Sequence, residues 1–126
     1  MDNPIVEKIL KDGINSVNLS MLDDISRKRI LSDVGDKLYK ENKIKEAIEI
    51  LSSVNDFEKL TKMGDDFILQ GKGEFAALCF IPTKDRQRLS NSAVLCINAK
   101  NYKLAAKAYQ AADNQQMAEF ILQNFA

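Results

Sequence analysis

The chain has 126 residues, 45% of them hydrophobic and 29% charged, a balance that allows one packed core without disulfides or metals and excludes a disordered chain. Eighteen basic and eighteen acidic side chains cancel, so no global field draws the protein to nucleic acid or anionic membranes, and either would need a local patch. Histidine is absent, which excludes Ser–His and Cys–His nucleophilic pairs and every His-containing zinc or iron site.

Taken in chain order, Asn3 and Pro4 predict a helix start, a capping side chain followed by proline at the first helical position, and the helix runs over 3–13. Acidic Asp2 and Glu7 in this short amphipathic stretch argue against a signal peptide. Residues 17–25 are expected to form its partner helix, or else to run into the next helix without a break. Asn18-Leu19-Ser20 matches a glycosylation acceptor, but without a secretory signal it carries no expectation.

From Leu31 onward a fixed period governs the pattern. Gly35, Gly64 and Ala93 stand 29 residues apart, and in that register Leu31, Leu60 and Leu89 coincide, as do Leu38, Phe67 and Cys96. Ala47, Ala76 and Ala105 also coincide, followed by Leu51, Phe80 and Tyr109. Within each unit apolar residues recur at three and four, the helix period. Each unit therefore predicts two helices separated by a polar break at 41–45, 70–74 or 100–103. The aligned alanines would let the paired helices approach closely.

Asn55 with Glu58, and Asp113 with Gln116, have N-cap box spacing, and Pro82 should end the second helix of the middle unit. Carried backward, the frame sets Ile9, Leu10 and Gly13 under Leu38, Tyr39 and Asn42. Carried forward, it leaves 115–125 as a lone helix. The expectation is an all-α, right-handed α-solenoid of about nine antiparallel helices, a single domain over 1–126. It has a degenerate first unit at 1–26, repeats at 27–55, 56–84 and 85–113, and a terminal helix at 114–126.

The phrases Gly71-Lys72-Gly73-Glu74-Phe75-Ala76-Ala77, Phe80-Ile81-Pro82 and Asn101-Tyr102-Lys103-Leu104-Ala105-Ala106-Lys107-Ala108-Tyr109 resemble the "polar turn, then Ala-Ala helix" of short-repeat α-solenoids. These are the solenoids of membrane-traffic coats and tethers such as clathrin heavy chain, coatomer and the vacuolar-sorting tethers. The likeness spans residues 29–126. The two-helix unit also resembles the tetratricopeptide superfamily, although the period is shorter and tryptophan is absent. These resemblances imply a cytoplasmic, non-enzymatic scaffold or adaptor within a trafficking assembly, or an adaptor holding a peptide in its concave groove.

No constellation in the sequence points to catalysis. Asp23-Asp24 and Asp65-Asp66 are adjacent, so on a helix they diverge by about 100°, and they read as solvated faces. Gly71-Lys72 is followed by Gly73, not Ser or Thr, and no strand precedes it, so it is no phosphate loop. Cys79 and Cys96 lie in apolar runs and read as buried thiols. No metal and no cofactor is expected, and nucleic acid is not expected as a partner.

Two features point to protein partners. Arg27 and Arg29, with Lys28, and Arg86 with Arg88 stand at the starts of first helices two units apart, where positive charge adds unfavourably to the helix dipole. They predict an acidic partner or phosphate group, against the competing expectation that they extend into water or pair with Asp23, Asp24 and Asp85. In 115–125, Met117, Ala118, Phe120, Ile121, Leu122 and Phe125 spread wider than one packing stripe needs. That predicts a contact surface at Met117, Phe120, Ile121 and Phe125 for a homodimer or another protein, or for further repeats. Val94 and Leu95, apolar where earlier units carry Asp36, Lys37, Asp65 and Asp66, predict extra burial in the same half.

Overall fold

Asn3 starts the first helix as expected, its Oδ1 accepting the Ile5 amide at 2.8 Å with Pro4 following. The computed structural model describes residues 3–125, and the acidic Asp2 noted above, with residues 1 and 126, lies outside them. The helix α1 (Pro4–Asp12) stops at Gly13, whose φ of 97° favours glycine.

The partner helix expected at 17–25 does not form. The Oδ1 of Asn18 takes both the Ser20 amide at 3.1 Å and the Ser20 hydroxyl at 2.6 Å. Such bonds compete with the helix ladder, and the segment folds into two 3-10 turns, Ile14–Ser16 and Leu19–Met21. Asp23 then caps α2 (Asp24–Lys40), accepting the Ser26 amide at 2.6 Å. That bond holds its carboxyl below the usual carboxylate range. Asp23 is thus a cap and not merely part of a solvated face.

The helices α3 (Ile44–Ser53), α4 (Phe57–Leu69), α5 (Gly73–Phe80), α6 (Arg86–Asn98), α7 (Tyr102–Ala111) and α8 (Gln115–Asn124) follow. Among the described residues the protein is all-helical, with eight α-helices where about nine were expected and no strand. Pro82 sits in a 3-10 turn, Ile81–Thr83, directly after α5.

The chain divides into two compact units, Met1–Asp56 and Phe57–Ala126. In the first, α2 packs against both α1 and α3, burying Val6, Ile9, Leu31, Val34 and Leu38 with Ala47 and Leu51. The Lys37 ammonium meets Glu7 at 2.9 Å, tying α2 to α1. In the second, α4, α5, α6, α7 and α8 pack successively, each on the one before. Leu60, Phe67, Phe80, Leu89, Cys96 and Ile121 lie inside.

The small residues mark the tight places. A Cβ on Gly35 would lie 2.6 Å from Cγ of Leu51, and one on Gly64 would lie 2.2 Å from Cε1 of Phe80. Ala47, Ala76 and Ala105 are fully buried. Both contacts join residues 16 apart, so a glycine on the first helix of each hairpin makes room for a large side chain on the second.

The backbone carries the same 29-residue step. Asn42, Gly71 and Lys100 have φ of 65°, 73° and 63°, and Asn55, Lys84 and Asp113 have φ of 56°, 60° and 62°. After each of the first three, the next amide reaches back to close the helix: Lys43 to the Leu38 carbonyl at 2.9 Å, Lys72 to Phe67 at 2.8 Å, Asn101 to Cys96 at 2.9 Å. These are the left-handed helix stops of the Schellman type. Two of the second three, Asn55 and Asp113, displace the predicted capping boxes. Asp113 is left-handed and α8 is capped by Asn114, which accepts the Met117 amide at 3.2 Å. Asn55 is likewise left-handed, with α4 starting at Phe57.

Candidate functional site

The last turn of α8 carries the most aromatic surface in the second unit. One side of the helix packs inward on α7 through Ala118 and Ile121, the latter only 1% exposed. Ile121, expected on the contact surface, therefore belongs to the core, and Met117 is half-buried. The outward side holds Phe120 at 53%, Phe125 at 52% and Leu122 at 41% exposure.

Those rings are ordered among themselves. Phe125 stacks on Tyr102 at the start of α7, centroids 5.0 Å apart and planes at 20°, and Phe120 meets Phe125 edge-on at 6.3 Å. The Asn124 amide donates to the Phe120 carbonyl at 2.8 Å and the Phe125 amide to Ile121 at 2.9 Å, closing the final turn. The repeat spacing does not mark Tyr102; its part in the cluster follows from its place as the first residue of α7, against Phe125 just after α8. Val94 and Leu95, expected to add burial in this half, are 48% and 38% exposed, although Leu95 packs closely against Gly73 at the start of α5.

The arginines are mostly engaged within the protein. Arg88 donates Nε and Nη2 to the two carboxylate oxygens of Asp65 at 2.8 and 2.9 Å, and Nη1 to Asp85 at 2.7 Å. Its guanidinium also lies 6.0 Å from the centroid of the Phe80 ring, within cation–π range. Asp85 caps α6 by accepting the Arg88 amide at 3.2 Å, and its bonds to Arg88 hold its carboxyl below the usual range. The dipole conflict foreseen for Arg88 is thus answered inside the protein, and Asp65, its side chain still 47% exposed, is paired with Arg88 as well as solvated.

Arg86 pairs with Asp113 at 3.0 Å, both largely exposed. Arg27 donates to the Leu19 and Leu22 carbonyls at 3.3 and 2.9 Å and to Asp24 at 3.1 Å, so it holds the 3-10 segment. Arg29 and Lys28 are exposed. Arg27 and Arg29 belong to the first unit and Arg86 and Arg88 to the second.

Cys79 and Cys96 are free and buried. Burial pushes the Cys79 thiol up to about 12, and burial with the nearby Glu74 carboxylate pushes Cys96 up to about 11, so neither is poised as a nucleophile at neutral pH. Among the described residues no helix is long and apolar enough to cross a membrane. No family model matches the chain, and no curated protein and no solved structure compared with it gives a match.

Proposed function

We propose that this chain is a non-enzymatic protein–protein interaction scaffold that holds a protein partner on the outward face of α8. The observation that carries the reading is the aromatic cluster of Phe120, Phe125 and Tyr102, with both phenylalanines about half exposed. Ordered aromatic side chains left in water cost free energy that a partner recovers, and such residues are enriched at protein interfaces.

The architecture we propose is a right-handed α-solenoid of two-helix repeats. The recurrence of left-handed stops and helix starts every 29 residues supports it. The likeness of residues 29–126 to coat and tether solenoids supports a setting in a cytoplasmic trafficking assembly. A second copy of the chain is the simplest partner, giving a homodimer through α8.

Affinity capture from the source cell, run beside sedimentation, tests this. Wild-type protein should self-associate or capture a defined partner, and Phe120→Asp with Phe125→Asp should abolish it while the helical circular dichroism is unchanged. Equal capture by wild type and variant would refute the assignment to α8.

A further inference from the structure

A second surface lies in the first unit, between α1, α2 and α3. Ile9 of α1, Ile14, Val34 and Leu38 of α2, and Glu46 and Ile50 of α3 line a groove of about 240 Å³. Charged residues flank it: Lys43, Glu46 and Glu49 also line the groove, and all three are exposed.

The second unit indicates what such a groove accommodates. There α5 packs on α4, α6 and α7 together, and the Asn101 amide of α7's cap donates to Glu74 in the first turn of α5 at 2.8 Å. The residues 58 positions after Val34, Leu38, Glu46 and Ile50 are Ser92, Cys96, Leu104 and Ala108, and all are buried. In the first unit the segment that would supply a covering helix is instead the pair of 3-10 turns between Gly13 and Asp23. Glu46 is accordingly exposed where Leu104 is buried, and Ile50 half-buried where Ala108 is fully so.

We infer that the groove of α1, α2 and α3 docks an amphipathic helix of a partner protein, with a carboxylate in its first turn and a lysine or arginine one turn on. This deepens the scaffold reading above and rests on it. The direction and charge order follow from residue identities. Lys43 stands where Asn101 receives Glu74, so it takes the carboxylate; its own link to Glu41 is long, 3.8 Å, and exposed, hence weak. Glu46 and Glu49, three apart on one face of α3, take the cation. The occupant is not α8 of a second copy, because Gln115–Asn124 contains no basic residue to meet the two glutamates. Apolar residues at i, i+3 and i+4 of the partner would fill the space over Val34 and Leu38.

Two synthetic helices of about 15 residues, long enough to hold helix when bound, test this on the full chain by fluorescence anisotropy. One carries Glu in its first turn and Lys in its second and third; its twin has every charge inverted. The first should bind about tenfold more tightly or better, and Glu46→Lys with Glu49→Lys should reverse the preference. Both glutamates are exposed, so circular dichroism should be unchanged in that variant. Backbone NMR shifts should fall on Ile9, Ile14 and Ile50. Equal binding of the two helices, absence of binding, shifts confined to α8, or a groove protected by self-association would each overturn the inference. A natural partner captured equally by wild type and by the Glu46→Lys, Glu49→Lys variant would overturn the groove while leaving the scaffold standing. Failure of wild type to capture any partner or to self-associate would instead count against the scaffold.

Discussion

Replacing Gly64 by alanine sets two known effects against each other. Within a helix, Gly→Ala ordinarily stabilises by about 0.5–1 kcal/mol, because alanine loses less backbone entropy. At Gly64 the new methyl would sit 2.2 Å from Cε1, 2.6 Å from Cζ and 2.8 Å from Cδ1 of Phe80, against a comfortable carbon–carbon distance of about 3.5–4.0 Å. Relief needs a shift of more than about 1 Å, and Phe80 is 1% exposed with the Arg88 guanidinium 6.0 Å from its ring centroid. Overpacking of this kind costs about 1–3 kcal/mol. The net expectation is a loss of about 0.5–2 kcal/mol, read as a lower urea midpoint with unchanged slope. A further Phe80→Leu should recover part of it, so the double mutant loses less than the sum of the singles by about 0.5 kcal/mol or more. Gly64→Ala as stable as wild type, or more so, would refute the close-approach account of this hairpin.

Arg88→Met, judged by chemical denaturation, should cost about 1 kcal/mol, the scale of a partly exposed bidentate pair, and a cycle with Asp65→Asn should show coupling; strict additivity would mean the ion pair contributes nothing. The other partner of Arg88 sets an acid limit: Asp85, held by its bonds to Arg88, titrates below its ordinary value near 3.8, so its contribution is present above that pH and is lost as pH falls through the lowered value. Cys79 and Cys96 should resist a disulfide-exchange reagent at pH 8 in the native protein and react at once in denaturant; rapid native labelling would contradict their burial. Below about pH 9 both thiols are protonated folded or unfolded, whereas above it the unfolded chain ionises first, so stability should fall between about pH 9 and 12. Lys100→Gly should stabilise by about 0.5–1 kcal/mol, since Lys100 holds φ 63° at a helix stop that glycine adopts without a Cβ clash; an unchanged melting temperature would argue against strain there.

Much of the helical plan is legible in residue spacing because it is written by size. Leu31, Leu60 and Leu89, the glycines at 35 and 64 and the alanines at 47, 76 and 105 recur at one interval, and all of them end up buried. What escapes is local competition. Asn18 and Ser20 look compatible with a helix over 17–25, yet their side chains bond each other and form a 3-10 turn. The capping boxes were displaced for a similar reason. A left-handed residue precedes the cap, and nothing in a one-residue window separates Asp113 from Asn114.

The candidate surfaces show the same division. The apolar excess of 115–125 is readable, but which side of α8 faces inward depends on how it meets α7, so Ile121 and Phe120 exchange significance once packing is known. The Arg88–Asp65 pair joins residues 23 apart, an interval no helix periodicity marks. The groove of the first unit was invisible for a deeper reason: it exists because a helix suggested by the repeat frame is not formed.

The most direct measurement of the central claim is amide hydrogen exchange across residues 115–125 in the free chain and in its purified native complex. The scaffold account predicts that amides of the outward turn around Phe120 and Phe125 become protected on binding, by about tenfold or more. A stable complex in which α8 exchanges at its free rate would contradict it.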